Sequence, residues 1–461
     1  MRPRNLDRPP FIRAWLALML IAALALAVAA CGDDDDDDAT ATSPAGNTPT
    51  QSGTQSGASP TIDDQPGSVD VLGIWGGDEL TKFDDMTKPW KDKGGDISFT
   101  GTRNITADLT VRVEGNNPPD VAIPAEVGLF KQFIDEGKLI SLDQCPGLAE
   151  MVKADYPKSF VDLATVNGKL YGFFMKADTK ATVWYNPHVF SDNNLKPLDA
   201  NASYDDLIKL SETLKSDGIA PWSIGVESAE ASGWPGSDWL QQIILNGPDG
   251  EALYDGLIDG SIPFTDQRVK DAWQKFADIA LADGFTSQGG ATGINATNFQ
   301  DATYPPFESP PKAAMTFLGG FASGFITTQF PDAKPGTDFD FFTFPGGKVT
   351  GGANIVYAFN NDPATCSFLR YMASADAQDI WVKAGGFTSV NSKVSLEDYP
   401  SDLARKQAKQ LLDAATFRFD LDDAIGGDLQ TTYFAGVTEF LSDPSKLDSI
   451  LQQIEGARKT P

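Results

Sequence analysis

The chain has 461 residues, 64 of them acidic against 36 lysines and arginines, giving a net charge of −28. An excess of that sign argues against nucleic-acid binding and against broad electrostatic adhesion to anionic lipid. A single histidine and three cysteines leave little material for Ser-His-Asp, Cys-His or zinc chemistry.

In chain order, Arg2, Arg4, Arg8 and Arg13 precede an uncharged apolar run from Ala14 to Ala30 that ends Val28-Ala29-Ala30-Cys31. A basic start, an apolar stretch and small residues before a cleavage point read as a secretory signal over 1–30, not as a membrane span. An uncleaved signal anchor is the alternative. The cysteine after the small residues resembles the lipobox of bacterial lipoproteins, which implies that Cys31 is lipidated and becomes the mature N-terminus. Without this leader, which carries four arginines and one aspartate, the net charge is −31. Residues 31–68 are expected to be a tether. Asp33 to Asp38 form an unbroken aspartate run, and the segment continues in Ser, Thr, Gly, Gln, Pro and Asp, too poor in apolar surface to offset its ordering entropy. As a flexible coil it would hold the folded part roughly 35 Å from the anchor. An aspartate run without an EF-hand loop reads as a solvated spacer and not as a calcium site.

About 390 residues follow the tether, enough for two domains, with no second apolar run long enough to span a bilayer. The spacing predicts a strand over Val69 to Trp75, a helix from about Asp78 to Trp90 and a strand over Ile97 to Thr100. A helix from about Asn104 to Glu114, a strand over Asp120 to Pro124 and a helix beginning near Glu126 come next. In that last helix Val127, Phe130, Phe133 and Ile134 keep the helical apolar spacing before Gly137. Such alternation predicts a mostly parallel α/β sheet, with ligands at the carboxyl ends of its strands. Those ends are Trp75-Gly76-Gly77, Thr102-Arg103 and Pro124-Ala125.

Lys169 to Met175 and Thr182 to Tyr185 then read as strands carrying the chain out of the first lobe. A helix is predicted from Asp266 to Asp283, a strand over Ala313 to Phe317 ending at Gly319-Gly320-Phe321, and a strand over Ala353 to Phe359. Helices are expected from Asp362-Pro363 and from Ser374 to Gly385-Gly386, and the last eighty residues read as largely helical. With Cys31 assigned to lipid, Cys145 and Cys366 remain: in an oxidising compartment they form one disulfide, or else they are two separate buried thiols.

Several of these segments, in order, resemble the extracytoplasmic solute-binding proteins of bacterial ABC importers, carbohydrate class (family 1). The resemblance rests on Asn167-Gly168-Lys169-Leu170-Tyr171-Gly172, Val183-Trp184-Tyr185-Asn186, Pro311 to Thr316 with Gly319-Gly320-Phe321, and Ser374-Ala375-Asp376-Ala377-Gln378 through Trp381 to Gly385-Gly386-Phe387. Trp234-Pro235-Gly236-Ser237-Asp238-Trp239, Asp338 to Pro345, and Arg418-Phe419-Asp420 followed by Asp422 are similar to segments of the α-glucoside-binding members. One departure is Tyr433-Phe434, where such proteins often place tryptophan. The resemblance implies a two-lobed α/β fold of the periplasmic-binding-protein type (type II) with a hinged cleft. Lobe one would take 69–176 and 353–387, and lobe two 177–352 and 388–461. It also implies a monomeric receptor on the outer side of the cytoplasmic membrane, tied there only by its lipid. Such a receptor closes on a sugar and delivers it to the transmembrane subunits of a permease, without cofactor, metal or nucleic acid.

A sugar offers paired hydroxyls and an apolar ring face, which carboxylates, cationic donors and aromatic rings recognise. Such groups at strand ends and loops give the candidate ligand-binding residues Asp78, Glu79, Arg103, Asp178, Lys180, Trp234, Asp238, Phe321, Arg418, Asp420 and Tyr433. Each has a plainer structural reading. Asp78 or Glu79 favours a helix N-terminus, Asp238 caps a helix at Trp239, Arg418 pairs with Asp420, and Phe321, Tyr433 and Trp75 belong to the core. Lys176 and Lys180 flank a strand. The rival functional class is a glycoside-acting enzyme with a carboxylate pair. His188, in Asn186-Pro187-His188, reads as part of a surface turn, and no P-loop, Rossmann fingerprint or HExxH occurs. The same receptor carrying a polyamine or another non-sugar solute is the other alternative.

Overall fold

The computed structural model describes residues 65–458 apart from 103, 126 and 200, and not the side chain of Asp78. The expected signal, Cys31 and nearly all of the tether lie outside the described residues. Among the described residues no helix is long and apolar enough to cross a membrane.

Ten strands carry the architecture: β1 (Ser68–Gly73), β2 (Asp96–Gly101), β3 (Val121–Ile123), β4 (Gly172–Thr179), β5 (Thr182–Tyr185), β6 (Trp222–Ser223), β7 (Met315–Phe317), β8 (Asp340–Thr343), β9 (Val349–Ala358) and β10 (Phe417–Phe419). The first sheet has the order β10-β9-β3-β1-β2, with β4 also paired to β9. β1 is parallel to both β2 and β3, as the alternation of strands and helices predicts. Val71, Val121, Ala122 and Ile123 are fully buried, because helices cover both faces of such a sheet. The helix Gly77–Lys91 places Phe83, Met86 and Trp90 on its inward stripe. Trp75 packs beneath, 5.2 Å from Phe83 and 4.9 Å from Trp381. The second sheet, β8-β5-β7-β6, is covered by Trp239, whose ring lies 4.9 Å from Trp222 and 4.8 Å from Phe317.

β4 and β9 join the two halves. They run antiparallel from the pair Tyr357↔Gly172 to Gly351↔Thr179, with an irregularity at Asn354/Ile355. The Ala177 N–H donates to Thr388 O at 3.0 Å, which lays a third segment beside them. The strands meet so closely that a Cβ on Gly351 would lie 1.9 Å from the Asp178 carbonyl oxygen. Only glycine allows that approach.

The structure departs from the sequence reading in three places. The run Lys169 to Met175 is split: Asn167 and Gly168, with φ of 50° and 77°, turn a short hairpin, as Asn-Gly favours. β4 then starts at Gly172 and continues to Thr179. β9 starts at Val349, ahead of the expected Ala353, because Gly351-Gly352 weaken the strand signal there. The largely helical C-terminal region contains β10, parallel to the start of β9. Cys145 and Cys366 are bonded, with Cα atoms 5.2 Å apart, which ties the turn after Leu142–Gln144 to the helix Pro363–Ala373.

Candidate functional site

From Met175 onward β4 alternates, with Ala177 and Thr179 buried and Lys176, Asp178 and Lys180 on the more open face, the period expected of a strand. A row Lys–Asp–Lys therefore crosses between the two halves. At one end, Lys176 Nζ lies 2.6 Å from Glu79 Oε1 and 5.8 Å over the ring of Trp381. At the other, Lys180 Nζ lies 2.8 Å from Asp420 Oδ2 and 3.2 Å from Asp238 Oδ1, and 5.1 Å over the ring of Trp234. Asp178 stands between them. Its edge is open to water, yet both halves crowd it; desolvation raises its carboxyl above the usual range against the pull of Lys176 and Lys180.

Trp234 opens the helix Trp234–Leu245, set by a left-handed Gly233 and by Pro235 in the first turn. A Cβ on Gly233 would lie 2.1 Å from Phe434 O, so the helix start is pinned against the C-terminal region. Half-buried Trp234 packs edge-on to Phe299 at 5.0 Å and lies 6.2 Å from Phe321. Phe321 is 38% exposed. It lines a cavity of about 260 Å³ with Lys176, Asp178, Gly320, Gly386 and Gln407. A larger cavity of about 840 Å³ lies between the helix Gly128–Asp135 and the start of the helix Gly427–Ser442, with Asp423 on its wall. An open groove of about 860 Å³ between the helices Tyr204–Ser216 and Gln267–Ala280 contains none of the candidate residues.

Behind Lys180 three carboxylates converge. Asp238, Asp420 and Asp422 are 1%, 1% and 2% exposed. Gln241 Nε2 donates to Asp238 Oδ1 at 2.8 Å, and Ser237 Oγ donates to Asp422 Oδ2. Burial raises all three carboxyls, Asp420 to about 7, although Lys180 draws them down. Burial works against the charge on Lys180, but Asp238, Asp420, Asp422 and Asp423 outweigh it and hold the lysine well above its ordinary value.

The candidates thus fall into groups. Glu79, Asp178, Lys180, Trp234, Asp238, Phe321 and Asp420 gather along β4 and the faces beside it. Asp238 lies inside the helix rather than at its cap. Arg418 turns to Asp255, at 2.6 and 2.9 Å, and to Glu251 at 3.7 Å, so Asp420 is not its partner. Tyr433 is fully buried against Phe264 and Trp273, and Trp75 is likewise core. Arg103 lies outside the described residues, as does the side chain of Asp78. His188 is exposed, its Nε2 2.9 Å from Asp338 Oδ1, on a helix capped by Asn186. Sequence reasoning missed Asp422 as a site residue, although the spacing Asp420–Asp422 beside a strand was visible. It also missed Gln241, one turn after Asp238. Among the described residues no group of three or more His, Cys, Asp or Glu is placed to hold a metal ion.

The osmoprotective compounds-binding protein GgtB of Synechocystis is 30% identical over 387 residues, 82% of this chain and 90% of that protein. The alpha-glucosides-binding periplasmic protein AglE of Rhizobium meliloti is 30% identical over 397 residues, 83% and 85% of the two chains. Among solved structures, the bacterial solute receptor AcbH aligns with a TM-score of 0.72 at 17% identity, covering 86% of this chain and 98% of that one. The apo form of RafE from Streptococcus pneumoniae aligns at 0.67 with 16% identity, covering 88% and 100%. At such identity these likenesses speak for the two-lobed fold. The bacterial extracellular solute-binding protein family matches residues 84–408, and the chain belongs to it.

Proposed function

We propose that the protein is an extracytoplasmic receptor that binds a sugar, an α-linked gluco-oligosaccharide, between its lobes and hands it to an ABC permease without chemical turnover. The observation that carries this reading is the row Lys176–Asp178–Lys180 facing exposed Phe321 and half-buried Trp234. Charged donors and acceptors for hydroxyl pairs lie beside aromatic faces for a pyranose ring. The relatives named for α-glucosides and for osmoprotective compounds support a compact polyhydroxy ligand. Asp78, Glu79 and Arg103, at the ends of β1 and β2 or just beyond, would complete the wall from the first lobe. Lobe one (69–176, 353–387) and lobe two (177–352, 388–461) would close by bending β4 and β9.

The test is calorimetric titration of the mature chain, made with Cys31→Ser, against α-glucosides, other oligosaccharides and polyamines. One-to-one binding of an α-glucoside that is recovered unhydrolysed supports the receptor. Heat from a polyamine alone overturns the ligand class, and hydrolysis overturns the receptor. The same reading places a lipid on Cys31, monomeric protein at the membrane and 31–68 as its tether. Fractionation tests this: wild type should sediment with membranes and Cys31→Ser should not.

A further inference from the structure

Three carboxylates and the Lys180 ammonium make up the cluster behind the cleft, and its charge is unbalanced. Asp238, Asp420 and Asp422 are essentially sealed from water, and the nearby ammonium is that of Lys180. Asp238 Oδ2 and Asp420 Oδ1 are buried with no hydrogen-bond partner, and so is the hydroxyl of Tyr433. That hydroxyl feels Asp422 and Asp238, so it is a third unpaired polar group beside the same carboxylates. Tyr254, on the helix Gly250–Asp259, spends its proton on Phe419 O at 2.7 Å. Arg418 is drawn away to Asp255. Asp423, at the solvent edge, adds charge of the same sign. An uncompensated carboxylate in such a pocket costs several kcal/mol, so an excess of two carboxylates over the Lys180 ammonium favours uptake of further positive charge. Among the described residues no three acidic side chains are placed as metal ligands are, and a proton is the smallest charge that fits a sealed pocket.

We propose that Asp238, Asp420 and Asp422 share a bound proton at neutral pH, and that its release sets how tightly Lys180 is drawn from the hinge strand into lobe two. The placement couples proton to hinge. The Lys180 N–H donates to Thr350 O of β9 at 2.8 Å, and the Asp420 N–H donates to Gly351 O at 3.2 Å. Both crossing strands thus end in this pocket. With the proton bound, the carboxylates attract Lys180 less and its ammonium is freer to face the cleft. With the proton gone, the ammonium is held inside. The raised carboxyl of Asp420 agrees with this.

The chain permits a clean test because His188 is its one histidine. In the ligand-free mature chain carrying His188→Gln, proton release is measured by potentiometric titration from pH 6 to 8, with and without Asp420→Asn. The α-amino group releases the same fraction of a proton in both chains, and the expected result is about one proton per chain more released in this window by the parent than by Asp420→Asn, Asp422→Asn serving where the first variant does not fold. Infrared spectroscopy of the otherwise unmutated protein should show a protonated-carboxyl band at pH 6 that disappears by pH 8. Identical titrations with and without the substitution, or no such band, overturn the proposal. A titration that shifts with sodium or potassium concentration also overturns it, in favour of a bound cation. No ligand is needed, so failure here is separate from failure of the sugar reading.

Discussion

Replacing Lys180 by methionine keeps most of the side chain's volume and removes the ammonium that, among the described residues, faces Asp238, Asp420 and Asp422. Lys180 is 17% exposed and its two ion partners 1% each, so solvent screens the pair weakly. Removing one partner of a buried pair costs about 3–5 kcal/mol, most of it from the charge left behind. That cost depends on pH. Without the ammonium the carboxylates bind protons more tightly, so folded Lys180→Met carries about one proton more than folded wild type near neutrality. Each pH unit over which that holds changes the difference in stability by about 1.4 kcal/mol. The expected loss is therefore about 3–5 kcal/mol at pH 8 and roughly 2–3 kcal/mol smaller at pH 6. Urea unfolding followed by circular dichroism at pH 6, 7 and 8 measures it. A loss below about 1 kcal/mol at pH 8, or one independent of pH, would refute the reasoning. Wild type has its own slope. The Asp420 carboxyl lies near 7 when folded and about 3.9 when unfolded. Between those values the folded state holds the extra proton, so this group makes stability fall as pH rises from about 4 to 7 and adds no slope outside that range.

Breaking Cys145–Cys366 by double serine substitution opens a sequence separation of 221 residues. Chain entropy puts the loss at roughly 5 kcal/mol at most, read as a fall in midpoint that reductant reproduces in wild type; two free thiols in the native protein by mass spectrometry would contradict it. Phe321→Ala, at a ring 38% exposed, should weaken a bound sugar about 3- to 10-fold and leave the unfolding midpoint within error. A large drop in stability instead would make Phe321 a packing residue. Gly351→Ala drives a Cβ to 1.9 Å from Asp178 O, so β4 and β9 must part. The expected cost is about 1–3 kcal/mol, with a change in ligand affinity because the hinge itself moves.

Much of the first sheet is legible in the sequence, because Val121 to Ile123 is an unbroken apolar run, Val69, Val71 and Leu72 are broken only by Asp70, and the helices between them keep a clean apolar stripe. The short elements are not. Phe417-Arg418-Phe419 alternates aromatic and charged residues as a strand does, but three residues amid helical sequence give too little period to outweigh their surroundings. That alternation also turns Arg418 to the opposite side from Phe417 and Phe419, toward Asp255. Tyr433 belongs with Leu429, Val437 and Phe440 on one stripe of the helix Gly427–Ser442, a spacing that points to the core rather than to a ligand. Trp234 shows the reverse problem. Gly-Trp-Pro invites a loop, whereas a left-handed glycine followed by an early proline is how this helix begins.

The site itself was legible as parts and not as an assembly. Lys180, Trp234, Asp238 and Asp420 stand out singly as charged or aromatic residues near turns, but nothing in the chain says that they meet. Their meeting is a consequence of topology. β10 pairs with β9 at Val349–Gly351, and β9 pairs with β4 at Thr179. These pairings put the residue after β4 next to the residue after β10, and Lys180 next to Asp420. The helix Trp234–Leu245, fixed by Gly233 against Phe434, brings Asp238 and Trp234 to the same place. A lysine facing Asp238 and Asp420 alone would still carry an excess of acid; Asp422 makes the excess two. A pocket built only to anchor a lysine needs one carboxylate, and a proton shared among Asp238, Asp420 and Asp422 would offset part of the surplus at the unpaired oxygens of Asp238 and Asp420.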